Sequence, residues 1–138
     1  LKPFYSMENV NYLAVLVAAL STFLIGGLWY SPILFAKAWM RENGFTEEEL
    51  KKRNMAKIFS LAFLLGLIAA FNLAMFLGGE SDAKMGAFYG FLAGTGWVAT
   101  FIGTLYLFEG KSFTLFLINA GYSIVALTVM GLILGAWK

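Results

Sequence analysis

A chain of 138 residues, 60% apolar and only 13% charged, is one domain's worth of sequence and lies well outside the composition of soluble proteins. Its mean hydropathy of +0.77 points to lipid, and a net charge of +2 is too small and too unevenly placed to suggest nucleic acid. With no cysteine there is no disulfide framework, thiol nucleophile or iron–sulfur site. With no histidine, the commonest metal ligand and the usual proton shuttle are missing too.

Leu1–Ser6 precede Met7, a natural start, and are set aside as a non-native remnant. Residues 7–138 then read as a single all-α integral membrane domain with four transmembrane helices, at residues 11–30, 57–78, 84–108 and 112–137. Each apolar run is long enough to cross ~30 Å of hydrocarbon. The first lacks a basic leader and a small-residue cleavage site, so it reads as a retained anchor. Trp29 and Tyr30 close it at an interface that favours amphipathic rings.

Ser31-Pro32 follows as a restart signal, since serine caps helices and proline is tolerated at their first position. The expectation is a break at Ser31 and a short interfacial helix over Pro32–Arg41, on the cytoplasmic surface, with Phe35 and Trp39 set among Lys37 and Arg41. Asn43-Gly44 ends it. Thr46 and Glu49 then fit a capping box, with Phe45 and Leu50 as its hydrophobic staple. Glu47–Glu49 are explained by this cap and by the helix dipole better than by a metal. The next helix should therefore start near Glu47 and carry Lys51, Lys52, Arg53 and Lys57 on its way into the second span.

Asn72 is the strong polar residue of span two. Gly86, Gly90 and Gly94 recur every fourth position in span three, and Gly131 and Gly135 repeat the spacing in span four. Such ladders let helices approach backbone to backbone, either within one protomer or at a dimer seam. The turns after spans two and three are short, so spans three and four must be antiparallel neighbours.

The first loop holds Lys37, Arg41, Lys51, Lys52, Arg53 and Lys57, and Lys111 lies on the same side. Lys84, Lys138 and Lys2 are opposite. This bias places loop 31–56 in the cytoplasm and both termini outside. No charged residue lies deep in any span, which argues against proton-coupled pumping. The candidate polar cavity is therefore neutral. Counting ~1.5 Å per residue from each span's midpoint puts Asn119 ~8 Å toward the cytoplasm, with Thr100 and Tyr122 close to that level. Gly26 and Gly27 leave a gap opposite them. Asn72 falls ~7 Å the other way. Trp97, an indole near the bilayer centre, needs an acceptor and should point into the bundle or an oligomer contact.

The run GGLWYSPILFAKAW (Gly26–Trp39), followed by INAGY (Ile118–Tyr122) and GLILGAW (Gly131–Trp137), resembles small bacterial membrane proteins of domain-of-unknown-function family seventeen-sixty-one. The resemblance covers Met7 to Lys138, with Trp29, Pro32, Phe35, Trp39, Asn119 and Gly121 as the matching positions. It implies a four-helix inner-membrane protein and no established activity.

Two functions remain open. One is a passive channel or carrier for an uncharged or weakly polar solute, working as a homo-oligomer because four short helices enclose little space. The other is a non-transporting accessory protein whose Lys51, Lys52 and Arg53 dock a partner or anionic lipid. Small multidrug exporters depend on a glutamate within span one, and Glu8 lies outside the hydrocarbon. No catalytic set, cofactor or metal site can be assembled from these residues.

Overall fold

In a computed structural model the chain is described over residues 10–138. Leu1–Ser6, set aside above, lie outside the described residues, as do Met7 and Glu8. The described residues form helices joined by turns: α1 (Tyr12–Trp29), α2 (Ala36–Asn43), α3 (Glu47–Lys51), α4 (Met55–Leu77), α5 (Ala83–Ala93), a π-helical turn (Gly94–Ala99), α6 (Thr100–Glu109) and α7 (Phe113–Ala136). The segment Ala83–Glu109 runs unbroken through the π turn. With α1, α4 and α7 it gives four helices long and apolar enough to cross a membrane. This is a multi-pass membrane protein, and its spans fall within a residue or two of those read from hydropathy.

Each long helix starts the same way. Asn11, Asn54, Asp82 and Ser112 accept a hydrogen bond from the backbone N–H three residues on, closing one otherwise orphaned donor. Gly44 and Gly110 end α2 and α6 in the left-handed conformation, at φ 72° and 70°. The expected cap at Thr46 is present, its hydroxyl accepting from Glu49 N at 3.2 Å.

Two boundaries differ from expectation. The surface helix begins at Ala36, not Pro32, because Ser31 does not cap it. Its hydroxyl turns back to donate to the Leu28 carbonyl at 2.7 Å, ending α1 instead. Phe35 N and Ala36 N then bond the Trp29 and Ser31 carbonyls, and Pro32 sits exposed in this chain of turns. Likewise the helix from Glu47 does not run into span two. It stops at Lys51, and the Asn54 side chain starts α4 afresh by capping Lys57 N at 3.1 Å.

The bundle is built inside-out relative to a soluble one. Its interior is small: Ala14, Ala18 and Ala19 of α1 meet Ala70 of α4, all fully buried, beside Leu73, Leu77, Met130 and Leu134. Many of its large side chains point away, with Leu24 79%, Leu107 83% and Phe108 90% exposed. Lipid tails are as apolar as leucine, so burial gives no preference for a leucine core, and close backbone approach decides the packing.

The glycine ladder follows this rule within one protomer. A Cβ on Gly86 would stand 2.0 Å from the Gly131 carbonyl oxygen, and one on Gly90 2.0 Å from that of Leu127. Gly94 faces the Ile124 Cα at 2.8 Å, and Gly135 faces the Asp82 carbonyl oxygen at 2.1 Å. This α5–α7 seam holds spans three and four against each other along half the bundle. The other half, toward α2 and α3, is packed quite differently.

Candidate functional site

At the end of the bundle that carries α2 and α3, aromatic residues replace glycine and alanine. The Trp29 indole N–H donates to the Ile118 carbonyl at 2.8 Å, and its ring lies over Gly121, where a Cβ would be 3.0 Å from Cζ2. Next to it, the Tyr30 hydroxyl donates to Asn119 Oδ1 at 2.6 Å, and Asn119 Nδ2 donates to the Tyr106 hydroxyl at 2.6 Å. One carboxamide, both acceptor and donor, thus ties the end of α1 to α6 and α7. One turn along, the Tyr122 hydroxyl donates to the Thr22 carbonyl at 3.2 Å. Its ring fills the gap at Gly26, 3.4 Å from where a Cβ would stand.

Beside this cluster a cavity of about 690 Å³ opens between α1 and α4, beneath α2 and α3. Its wall is a run of aromatic contacts. Tyr122 and Tyr30 have ring centroids 5.5 Å apart, Tyr30 and Trp39 5.9 Å, and Trp39 and Phe45 5.3 Å. Arg53 lies over the Phe45 ring at 4.7 Å, a cation–π contact that brings one positive charge to the mouth. Gly27 lines the space with nothing within 4 Å of its Cβ direction. The surface is chiefly apolar, with Thr22, Tyr30, Tyr122 and Arg53 supplying its polar groups. That combination suits an uncharged or amphiphilic guest.

On α2, the Glu42 carboxylate receives a hydrogen bond from the Ser112 hydroxyl and pairs with Arg41 at 3.1 Å. Together these hold its pKa below the ordinary carboxylate range. Ser112 also caps α7, so one side chain joins the surface helix to the start of the fourth span.

Of the five residues expected to form the polar cavity, only Asn119 and Tyr122 come together. Thr100 is exposed elsewhere, its hydroxyl donating to the Gly96 and Trp97 carbonyls at 2.9 and 2.8 Å. Those carbonyls belong to the π turn, whose widened register leaves carbonyl oxygens that a threonine hydroxyl can serve. Trp97 points neither into the cluster nor into the bundle core. It is 64% exposed, with its ring centroid 6.2 Å from that of Phe76. Asn72 is exposed too and donates to the Ile68 carbonyl of its own helix at 2.9 Å. Counting residues gave depth along each helix but not direction around it, and the π turn altered that direction.

Tyr30 and Tyr106 complete the cluster, and neither was assigned to it from sequence. Trp29, Tyr30 and Trp39 were expected as an interfacial belt. All three turn toward the protein, against α7 or along the cavity wall. Lys51, Lys52 and Arg53 are exposed around the turn before α4. Among the described residues no group of three carboxylate, histidine or cysteine side chains could hold a metal ion.

The family model described as "Protein of unknown function (DUF1761)" matches residues 13–135, which takes in the aromatic cluster, the cavity and the glycine seam. No curated protein and no solved structure matches the chain.

Proposed function

The chain belongs to the DUF1761 family of proteins of unknown function, and from its geometry we propose that it is a passive carrier for an uncharged or weakly polar solute, admitted to the cavity between α1 and α4. The observation that carries this reading is the cavity itself: about 690 Å³, aromatic-walled, with an unfilled glycine at Gly27. A carrier is favoured over an open channel because the opposite half of the α1–α4 interface is filled. Ala14, Ala18, Ala19 and Ala70 are fully buried there, so passage needs the helices to move.

The surplus of lysine and arginine around α2 and α3 supports an inner (plasma) membrane orientation with loop 31–56 in the cytoplasm and both termini outside. The cavity then faces the cytoplasm.

The test is flux of uncharged solutes, from glycerol to small aromatic amides, into proteoliposomes. Gly27→Leu fills the cavity from a position that has room for the side chain, so the protein should assemble normally and lose most of its flux. Flux unchanged in Gly27→Leu, or equal to that of empty liposomes in the unmodified protein, overturns the proposal.

A second reading rests on Lys51, Lys52 and Arg53, all exposed on one turn. Such a cluster contributes about 1 kcal/mol per charge near an anionic surface, which suits docking of anionic lipid. Replacing all three with glutamine should then lower retention of anionic lipid on purification. Retention that survives the replacement rejects this reading.

A further inference from the structure

Two polar side chains are exposed within helices long and apolar enough to cross a membrane. Trp97 is in the middle of the third span, 64% exposed, and its indole N–H meets no acceptor among the described residues. Asn72 is exposed on α4, one turn from Phe76, whose ring contacts Trp97. Its amide gives one hydrogen to the Ile68 carbonyl, which leaves its Oδ1 and second N–H open. Neither side chain is long enough to reach an interface from these positions. Next to Asn72 on α4, Leu73 and Phe76 join Tyr89, Leu92, Ala93 and Trp97 in lining a chiefly apolar cleft of about 370 Å³. Leu65 and Ile68 extend the exposed stripe along α4.

Lipid tails can fill the cleft, but they offer an amide nothing to bond. A carboxamide is both donor and acceptor, so it is complementary to another carboxamide. The lysine and arginine bias favours one orientation for every copy, and a two-fold axis along the membrane normal brings identical residues together at one depth. We propose that the Asn72–Trp97 face is a parallel homodimer interface, in which Asn72 bonds the partner subunit's Asn72 across the axis. The cleft walls and Trp97 of the two copies pack around that bond. This surface is separate from the carrier cavity, and the inference does not depend on it.

The chain has no cysteine, so a single introduced thiol reports on self-contact. Ile68→Cys keeps Asn72 in place and should give an oxidised dimer in native membranes. Leu24→Cys, 79% exposed on α1, should not. In liposomes, energy transfer between labelled copies should show Asn72→Leu self-associating roughly three- to twentyfold more weakly, the range expected for one interhelical hydrogen bond. Both variants are on the exposed surface and should fold normally. No cross-link at Ile68→Cys, equal cross-linking at both positions, or unchanged association in Asn72→Leu each overturns the interface. A dimer that cross-links at Ile68→Cys and weakens in Asn72→Leu supports it.

Discussion

Adding one methyl group at Gly90 should separate spans three and four. The new Cβ would stand 2.0 Å from the Leu127 carbonyl oxygen and 3.1 Å from the Thr128 Cα. Real Cβ contacts keep at least 3.0 Å, so the helices must part by about 1 Å. Both obstructing atoms are backbone, and no rotamer can relieve the contact. A gap of 0.5–1 Å forfeits roughly a quarter to a half of the dispersion energy along it. Here it spreads to Gly86 against Gly131 and Gly94 against Ile124, because a stiff helix moves as a unit. This puts the cost near the top of the usual over-packing range, ~3 kcal/mol.

Alanine also favours a helix over glycine by ~1 kcal/mol, leaving a net loss of about 2 kcal/mol. Gly27→Ala is the matched control, since its methyl enters open space. It should leave stability unchanged or raise it slightly. Unfolding of both variants by SDS titration in mixed micelles, followed by far-ultraviolet circular dichroism, measures the difference. If Gly90→Ala unfolds no earlier than Gly27→Ala, the seam does not hold these spans and the reasoning fails.

Three further outcomes follow from side-chain hydrogen bonds elsewhere in the bundle. Asn119→Ala strands the Tyr30 and Tyr106 hydroxyls and should cost about 2 kcal/mol in the same titration, whereas Tyr122→Phe gives up one bond and should cost under about 1 kcal/mol. Thr100→Val removes the hydroxyl that serves the Gly96 and Trp97 carbonyls, so amide exchange should quicken across Gly94–Ala99 with ~1 kcal/mol lost. The lowered pKa of Glu42 means its tie to Ser112 is fully present above the ordinary carboxylate range and is lost as pH falls through the lowered value. Fluorescence of Trp39, on the same short helix, should therefore change only in acid below that range, and Glu42→Gln should abolish the transition.

What could be read from the residues was whatever depends on a single helix. Span lengths, the Thr46 cap and the four-residue glycine spacing are properties of one segment, and all are present in the fold. What escaped depends on direction around a helix or on competition between neighbours. Ser31 could cap forward or bond backward, and it bonds backward to Leu28. Asn54 carries the usual chemistry of a helix cap, yet the stronger signal at Thr46 masked it. The π turn at Gly94–Ala99 has only the run GTGW to announce it, and it decides where Trp97 and Thr100 point. Asn119 and Tyr122, expected together, do share one cluster. The partners Asn119 takes, Tyr30 and Tyr106, come from the ends of two other helices and follow from how the bundle closes.

The cavity follows from a change in residue size along α1 and α4. At the closed end, fully buried alanines let the two helices meet almost at their backbones. Gly66 is the last such point, with a Cβ direction 3.8 Å from the Ala19 carbonyl oxygen and 3.6 Å from the Thr22 hydroxyl. Beyond it the contacts become Phe23 against Phe63 and Phe59, with centroids 6.1 Å apart, and ring-sized spacers hold the helices open. Gly26 and Gly27 then fall in the widened part. Tyr122 from α7 fills the space at Gly26 and leaves that at Gly27 empty. A pocket of this kind is made by the wedge and needs no loop to shape it. Its volume should therefore change with any motion that pivots α1 against α4 about their alanine contacts.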